Sequence, residues 1–220
     1  MSVNDDRELD KLLENALKLE NESALAKHKK TSEHQETVQE ELVRLQAQLR
    51  AERQQAIKEE KEKKRKAEEE ARNACEVLGI RPVFMTQIDG NAEVNKARYA
   101  EMKALIEAEK PDMVITHWPI DSHRDHRVCS ILVYDAWRQT GYSFDLYYGE
   151  VMTGLQTQTF APNHWIDITE QHEQKVQAYY SHESQDMPVV QEWHDAMEEL
   201  RGMECHTKYA EAFVKQVWTE

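Results

Sequence analysis

The stretch Thr116-His-Trp-Pro-Ile-Asp-Ser-His-Arg-Asp-His126 places three histidines and two aspartates within eleven positions. His123 and His126 are three residues apart, so on a helix they share one face, one turn apart. Two imidazoles in that relation can converge on one ion, or on an ion and the substrate it holds. Asp125 between them is placed to fix an imidazole tautomer. Ser122 can cap the helix with Asp125 three residues on, in the manner of a capping box. Taken alone, the pattern fits surface or capping histidines as well as a metal site.

The elements that must position these residues alternate between strand and helix. Pro111 precedes the apolar run Asp112 to Thr116, a buried strand that ends where the histidine segment begins. In open α/β sheets ligands bind at the carboxyl ends of strands, so the segment stands where a site belongs. Upstream, Val83 to Gln87 is expected as a short strand, and Ala92 to Ala108 as an amphipathic helix with Tyr99, Met102, Leu105 and Ile106 on one face. Downstream, a helix is expected from Arg124 to Gln139, a strand from Phe144 to Tyr148 and another near Trp165 to Ile168. Thr169 then opens a helix running to Tyr180, and the rest, from Pro188, is mostly helical. This alternation predicts an α/β fold, a Rossmann-like and mainly parallel sheet flanked by helices.

A different material precedes it. All six Gly, all five Pro and all five Trp lie at or after Gly79. Residues 1–72 are rich in Glu, Lys, Gln, Arg, Ala and Leu, which are helix formers with little to offer a core. Leu9, Leu13 and Ala16 recur at coiled-coil spacing, as do Val38, Leu42, Leu45 and Leu49, with a candidate break between Ala26 and Thr37. Past Leu49 the seam fails, and from Lys58 to Glu70 charges of opposite sign alternate as on a solvated helix. We divide the chain into a charged helical arm, 1–72, and a domain, 73–220. The charged helix is expected to end at Leu78, because Gly79 suits a helix C-terminus and Pro82 follows.

The totals exclude several functions. A formal net charge of -14 repels nucleic acid phosphates and anionic lipid surfaces. No stretch has the roughly 18 to 20 apolar residues of a membrane span, and the first residues do not resemble a secretion signal. Cys75, Cys129 and Cys205 are odd in number and widely spaced, which argues against a disulfide framework or thiolate cluster. The chain therefore reads as cytoplasmic.

The segment from Pro111 to His126 resembles the second metal motif of the LmbE/PIG-L family: Pro-Asp, an apolar strand, then Pro-x-Asp-x-His-x-Asp-His. Further blocks follow in the family's order. Upstream is Glu70-Ala-Arg-Asn-Ala-Cys-Glu-Val-Leu-Gly79 with the turn Asp89-Gly90. Downstream are Asp167-Ile-Thr169, Lys175, Ala178, Ser181-His-Glu-Ser-Gln185 and Tyr209-Ala-Glu-Ala-Phe213. The resemblance implies a zinc-dependent hydrolase that removes an acetyl group from N-acetylglucosamine-like amides. It makes His126 the zinc ligand, His123 the residue that stabilises the oxyanion or protonates the leaving amine, and Asp125 the residue that orients an imidazole. It places His182, Ser184 and Gln185 near the pocket, where a structural loop is the alternative, and leaves Asp121 as a turn or cap.

One departure is large. The family's first block, a strand ending in His-Pro-Asp-Asp-Glu, supplies two more zinc ligands and the general base, and it is absent. Asp5-Asp6 lacks a histidine, and His28 and His34 lack neighbouring carboxylates. A smaller departure is Ala67, where the family often has Arg. His117, His164, His172, His194 and His206 read as surface or hydrogen-bonded histidines, and Trp118, Tyr147, Tyr148, Trp165, Tyr179 and Tyr180 as core before pocket. The missing strand predicts an unpaired sheet edge and association through it or through the arm. The sequence thus admits an N-deacetylase completed by another chain, or a non-catalytic relative acting as a helical interaction protein.

Overall fold

The computed structural model describes residues 3–26 and 32–218. Residue contacts divide the chain into two compact units, 1–69 and 70–220.

In the first unit α1 spans Val3–Ala26, and α2 begins at Ser32 and runs to Leu78 in the second. The break expected between Ala26 and Thr37 falls on residues 27–31 in part, which lie outside the described residues, as does His28. Val38 and Leu42 of the apolar seam are buried. Beyond it Arg65 pairs with Glu62 and Glu69 at 2.6 and 2.9 Å on an exposed face. Such pairs each contribute only about 0.2–0.5 kcal/mol.

The second unit starts with the last turns of α2, which end at Leu78 as the Gly79 signal predicts; Gly79 takes φ +68°, open to residues without a Cβ. Then follow α3 (Lys96–Glu109), β1 (Met113–His117), α4 (Arg124–Gln139), β2 (Asp145–Gly149), β3 (His164–Asp167), α5 (His172–Tyr180), α6 (Met187–Cys205) and β4 (Ala210–Lys215). The four strands form one open sheet in the order β1-β2-β4-β3, with α3 and α4 packed together and α4 on β1 and β2, and α6 on β4 and β3. β1 and β2 are parallel, joined through α4; β4 is antiparallel to both neighbours, because it returns from α6 beside β2. Leu132, Ala136 and Trp137 of α4 close the main core over Leu146, which is fully buried, with Met102 and Ile106 of α3 behind them. The Trp137 indole N–H donates to the Phe144 carbonyl at 2.9 Å, so the core's largest side chain leaves no polar atom unmet.

Four expectations change. Val83 to Gln87 is not a strand: it runs as coil, with Val83 and Phe84 exposed. A strand needs a neighbour to take its amide groups, and no strand among the described residues lies beside it. The α4 N-terminus is capped at His123 rather than Ser122, and α5 begins after Gln171, because the Asp167 carboxylate takes the Thr169 N–H at 2.9 Å in a turn. Finally, β4 emerges from a tail expected to be mostly helical.

The outer edge of β1 carries no strand among the described residues. The Trp118 N–H and Asp112 C=O bond toward β2, so by alternation the amide groups of Met113, Ile115 and His117 face outward. Met113 and Ile115 are 55% and 51% exposed there.

Gly202 shows where the second layer is tight. A Cβ at this position would lie 2.6 Å from the Lys208 carbonyl oxygen and 2.7 Å from that of Thr207. Gly202→Ala should destabilise the unit by about 1–3 kcal/mol. The urea midpoint should fall accordingly; an unchanged midpoint would mean that the turn into β4 gives way freely.

Candidate functional site

The histidine segment leaves the carboxyl end of β1 and turns into α4. Asp121 organises that turn. Its Oδ1 accepts the His123 N–H at 2.7 Å, and its side chain is fully buried. Its Oδ2 lies 3.3 Å from His126 Nδ1 and accepts from the Thr157 hydroxyl at 3.4 Å. Burial alone would push the Asp121 carboxyl up, but the His123 N–H and the His126 and Gln156 contacts outweigh it and hold the group below the ordinary carboxylate value. Arg127 from the first turns of α4 donates to the Asp121 and Ser122 carbonyls at 2.5 and 3.0 Å, fixing the loop on the helix.

The structure brings His123 and His126 together, with ring centroids 4.5 Å apart and a tilt of 37°. It also adds two residues that local spacing did not single out. His117, the last residue of β1, stacks on His126 at 3.9 Å with the rings 2° from parallel. Gln156 reaches His126 Nδ1 at 2.8 Å from a loop whose backbone is tied to the site by Ser122 N–H to Gln156 O and Gln158 N–H to Ile120 O. Nothing local in the sequence marks Gln156, thirty positions from His126. His117 was visible as a histidine at a strand end.

Asp125 does not meet an imidazole. Its two oxygens accept the N–H groups of Gly90 and Ala92 at 2.6 and 3.2 Å, pinning the turn before α3 to α4. Asp121 takes the orienting place instead, because the cap at His123 turns Asp125 toward α3. His182, Ser184 and Gln185 lie in the α5–α6 connection. Ser184 donates its N–H and hydroxyl to the buried Glu70 carboxylate at 3.0 and 2.6 Å, which ties that connection to the end of α2. None of the three lines the cavity beside the site.

That cavity, of about 420 Å³, opens from His117, Gly149 and Glu150 at the strand ends toward Lys175, Glu198 and Arg201. Its charges are paired: Arg201 forms a fork on Glu150 at 2.6 and 2.7 Å, and Lys175 meets Glu198 at 2.7 Å and Glu211 as well. Burial would lower the Lys175 ammonium, but Glu211, Tyr179 and Glu198 raise it above its ordinary value, so it stays charged.

The same burial acts on His117, whose imidazole is pushed from 6.5 down to about 4, with His126 adding to the shift. A histidine with a depressed folded pKa binds its proton more readily when unfolded. Its stabilising contribution is therefore present above about pH 6.5 and is lost as pH falls from there toward 4. Urea unfolding should show a lower midpoint at pH 5 than at pH 7.5, and His117→Gln should shrink that difference. An equal drop in both proteins would assign the effect to other groups.

A family model described as PIG-L, GlcNAc-PI de-N-acetylase, matches residues 18–137, more than half of the chain. The chain belongs to the PIG-L family. The match begins within the arm and includes α3, β1, the histidine segment and most of α4. Similar solved structures agree on the fold. The conserved protein TT1542 from Thermus thermophilus is 22% identical over 71% of this chain and 75% of its own, with a TM-score of 0.60. GalB, the 4-carboxy-2-hydroxymuconate hydratase of Pseudomonas putida KT2440, is 21% identical over 70% and 73%, with a TM-score of 0.61. The N,N'-diacetylchitobiose deacetylase of Pyrococcus horikoshii is 18% identical over 67% and 61%, with a TM-score of 0.53. A hydratase and a deacetylase on one fold mean that the fold does not choose the reaction. No described helix is long and apolar enough to cross a membrane.

The PIG-L motif of this chain does not by itself form a zinc site. A catalytic zinc takes three protein ligands and keeps one open position. His126 offers Nε2, since Nδ1 faces Asp121 and Gln156. His117 cannot join it, because stacked parallel rings direct their in-plane lone pairs alongside one another rather than to one point. Asp121 is turned to Nδ1 and to the His123 N–H. Among the described residues no group of three ligand side chains converges at the histidine segment, where a catalytic zinc needs three.

Proposed function

We propose that this chain is a PIG-L-type hydrolase of N-acetylated sugar amides that carries only part of its catalytic centre, with His126 and His123 as its contribution. The observation that supports the reading is the His126 imidazole at the end of β1, its Nδ1 fixed by Asp121 and Gln156 and its Nε2 left free, beside a strand edge with no partner among the described residues. Family membership supports the hydrolase class. Zinc enters the proposal only with the ligands this chain lacks, so we assign no step through it to the residues present. The missing residues would come from a second polypeptide whose strand pairs with β1 and ends at the same level as His117. His123, at the helix start, would face the reacting amide, and Asp121 would hold the His126 ring in place. The arm would contribute helix and self-association but no chemistry.

The reading is tested by adding a polypeptide bearing a strand that ends in His-Pro-Asp-Asp-Glu. It should bind at the β1 edge, seen as protection of the Ile115 and His117 amides from hydrogen exchange, and the complex should gain one zinc that depends on His126 and release acetate from N-acetylglucosamine amides. A complex that forms and holds zinc yet stays inert would favour the second reading, a non-catalytic family member. The loss of the Val83 to Gln87 strand, which removes a further part of the family's sheet, supports that alternative.

A further inference from the structure

His172, Asp195 and Glu198 are the only set of three or more His, Cys, Asp or Glu among the described residues whose ligand atoms all lie within 4.8 Å of one another. They come from α5 and α6, and Glu198 also lines the cavity that His117 borders. His172 Nε2 is 3.0 Å from Asp195 Oδ1 and 3.5 Å from Glu198 Oε2. Ligands about 2.0–2.2 Å from a tetrahedral ion stand about 3.4 Å from each other, so these separations bracket what one ion requires.

The outward atoms of the three side chains are already held. Asp195 Oδ2 accepts from Gln191 at 3.2 Å, and Glu198 Oε1 accepts from Lys175 at 2.7 Å and from the Tyr179 hydroxyl at 3.3 Å. The His172 ring stacks on Tyr209 at 3.7 Å. What remains, Nε2, Oδ1 and Oε2, lies within 4.8 Å, with Nε2 and Oδ1 hydrogen-bonded to each other at 3.0 Å, a contact that an ion between them would replace.

Charge gives an independent reason. Asp195, Glu198 and Glu211 set three carboxylates against the ammonium of Lys175; Glu198 is 1% exposed, while Asp195 and Glu211 keep 30% and 37% of their side chains open to water. Buried carboxylates require compensation. A divalent ion between Nε2, Oδ1 and Oε2 would add positive charge beside the buried Glu198 and the partly exposed Asp195.

We propose that His172 Nε2, Asp195 Oδ1 and Glu198 Oε2 form a site for a borderline divalent ion, zinc(II) or cobalt(II), that ties α5 to α6. One imidazole and two carboxylates suit such ions. Asp195, with 30% of its side chain exposed, provides the entry from solvent. The site shares no residue with the proposed hydrolytic centre and can fail without affecting that reading.

The test uses the full chain, stripped with chelator and titrated with cobalt(II) alone at pH 7.5, followed by its visible absorption and by the thermal midpoint. One equivalent should bind and raise the midpoint. Asp195→Asn and His172→Ala should abolish the one-equivalent transition, and Gln191→Ala should weaken it by about 10- to 100-fold. His126→Ala and His123→Ala should leave it intact. Should His172→Ala fail to fold by circular dichroism, the near-isosteric Asp195→Asn decides. No cobalt bound, several equivalents bound loosely and equally by Asp195→Asn, or binding lost with His126→Ala would each overturn the site.

Discussion

Purified alone, the chain should release no acetate from N-acetylglucosamine amides above background, and zinc should not hold at His126. The reason is the ligand count: His126 Nε2 is one donor, and the stacked His117 ring cannot become a second at the same ion. Activity should appear only in the complex with a strand ending in His-Pro-Asp-Asp-Glu. In that complex His126→Ala should remove the zinc gained at the hydrolytic centre and turnover together. His123→Ala should keep the metal and lower kcat by about 10²- to 10³-fold, the scale of one oxyanion donor. Acetate release paired with zinc content distinguishes the two variants. Turnover by the isolated chain that disappears with His126→Ala would overturn the half-site, since further ligands would then have to exist within this polypeptide.

Arg201→Ala should come close to unfolding the second unit. Arg201 and Glu150 are both buried, with side chains 6% and 3% exposed, and their fork has contacts of 2.6 and 2.7 Å. The guanidinium also bonds Glu204 at 2.9 and 3.0 Å and lies over the Phe160 ring. Removing one partner of a buried pair leaves the other charge without compensation and costs about 3–5 kcal/mol. Single domains have only about 5–15 kcal/mol in total. Glu150 directly follows β2, so the pair joins α6 to the strand end beside His117, and its loss should also loosen the site wall. Arg201→Lys should lose less, keeping the charge but not the planar fork. Urea unfolding measures both; a change below about 1 kcal/mol for Arg201→Ala would mean that water reaches Glu150 once the arginine is gone.

The sequence by itself determined the elements whose signals are local. Pro111 and the apolar run after it mark β1, the amphipathic period marks α4 from Arg124 to Gln139, and Gly79 ends α2 at Leu78. The family, too, was legible, because its motif is a contiguous stretch around His123 and His126. Tertiary structure decided what depends on neighbours. Val83 to Gln87 has strand composition but no strand to receive its amide groups, and Ala210–Lys215 becomes β4 only because β2 and β3 flank it. The roles of the two aspartates followed the same rule. Spacing put Asp125 beside the imidazoles, yet the turn at His123 directs it to the Gly90 and Ala92 amides and gives His126 to Asp121. Gln156 on His126 and His172 against Asp195 and Glu198 are pairings of distant segments. Helical and strand periods reach only a few residues along the chain, whereas a ligand set is fixed by which ends of which elements the packed sheet and helices bring together.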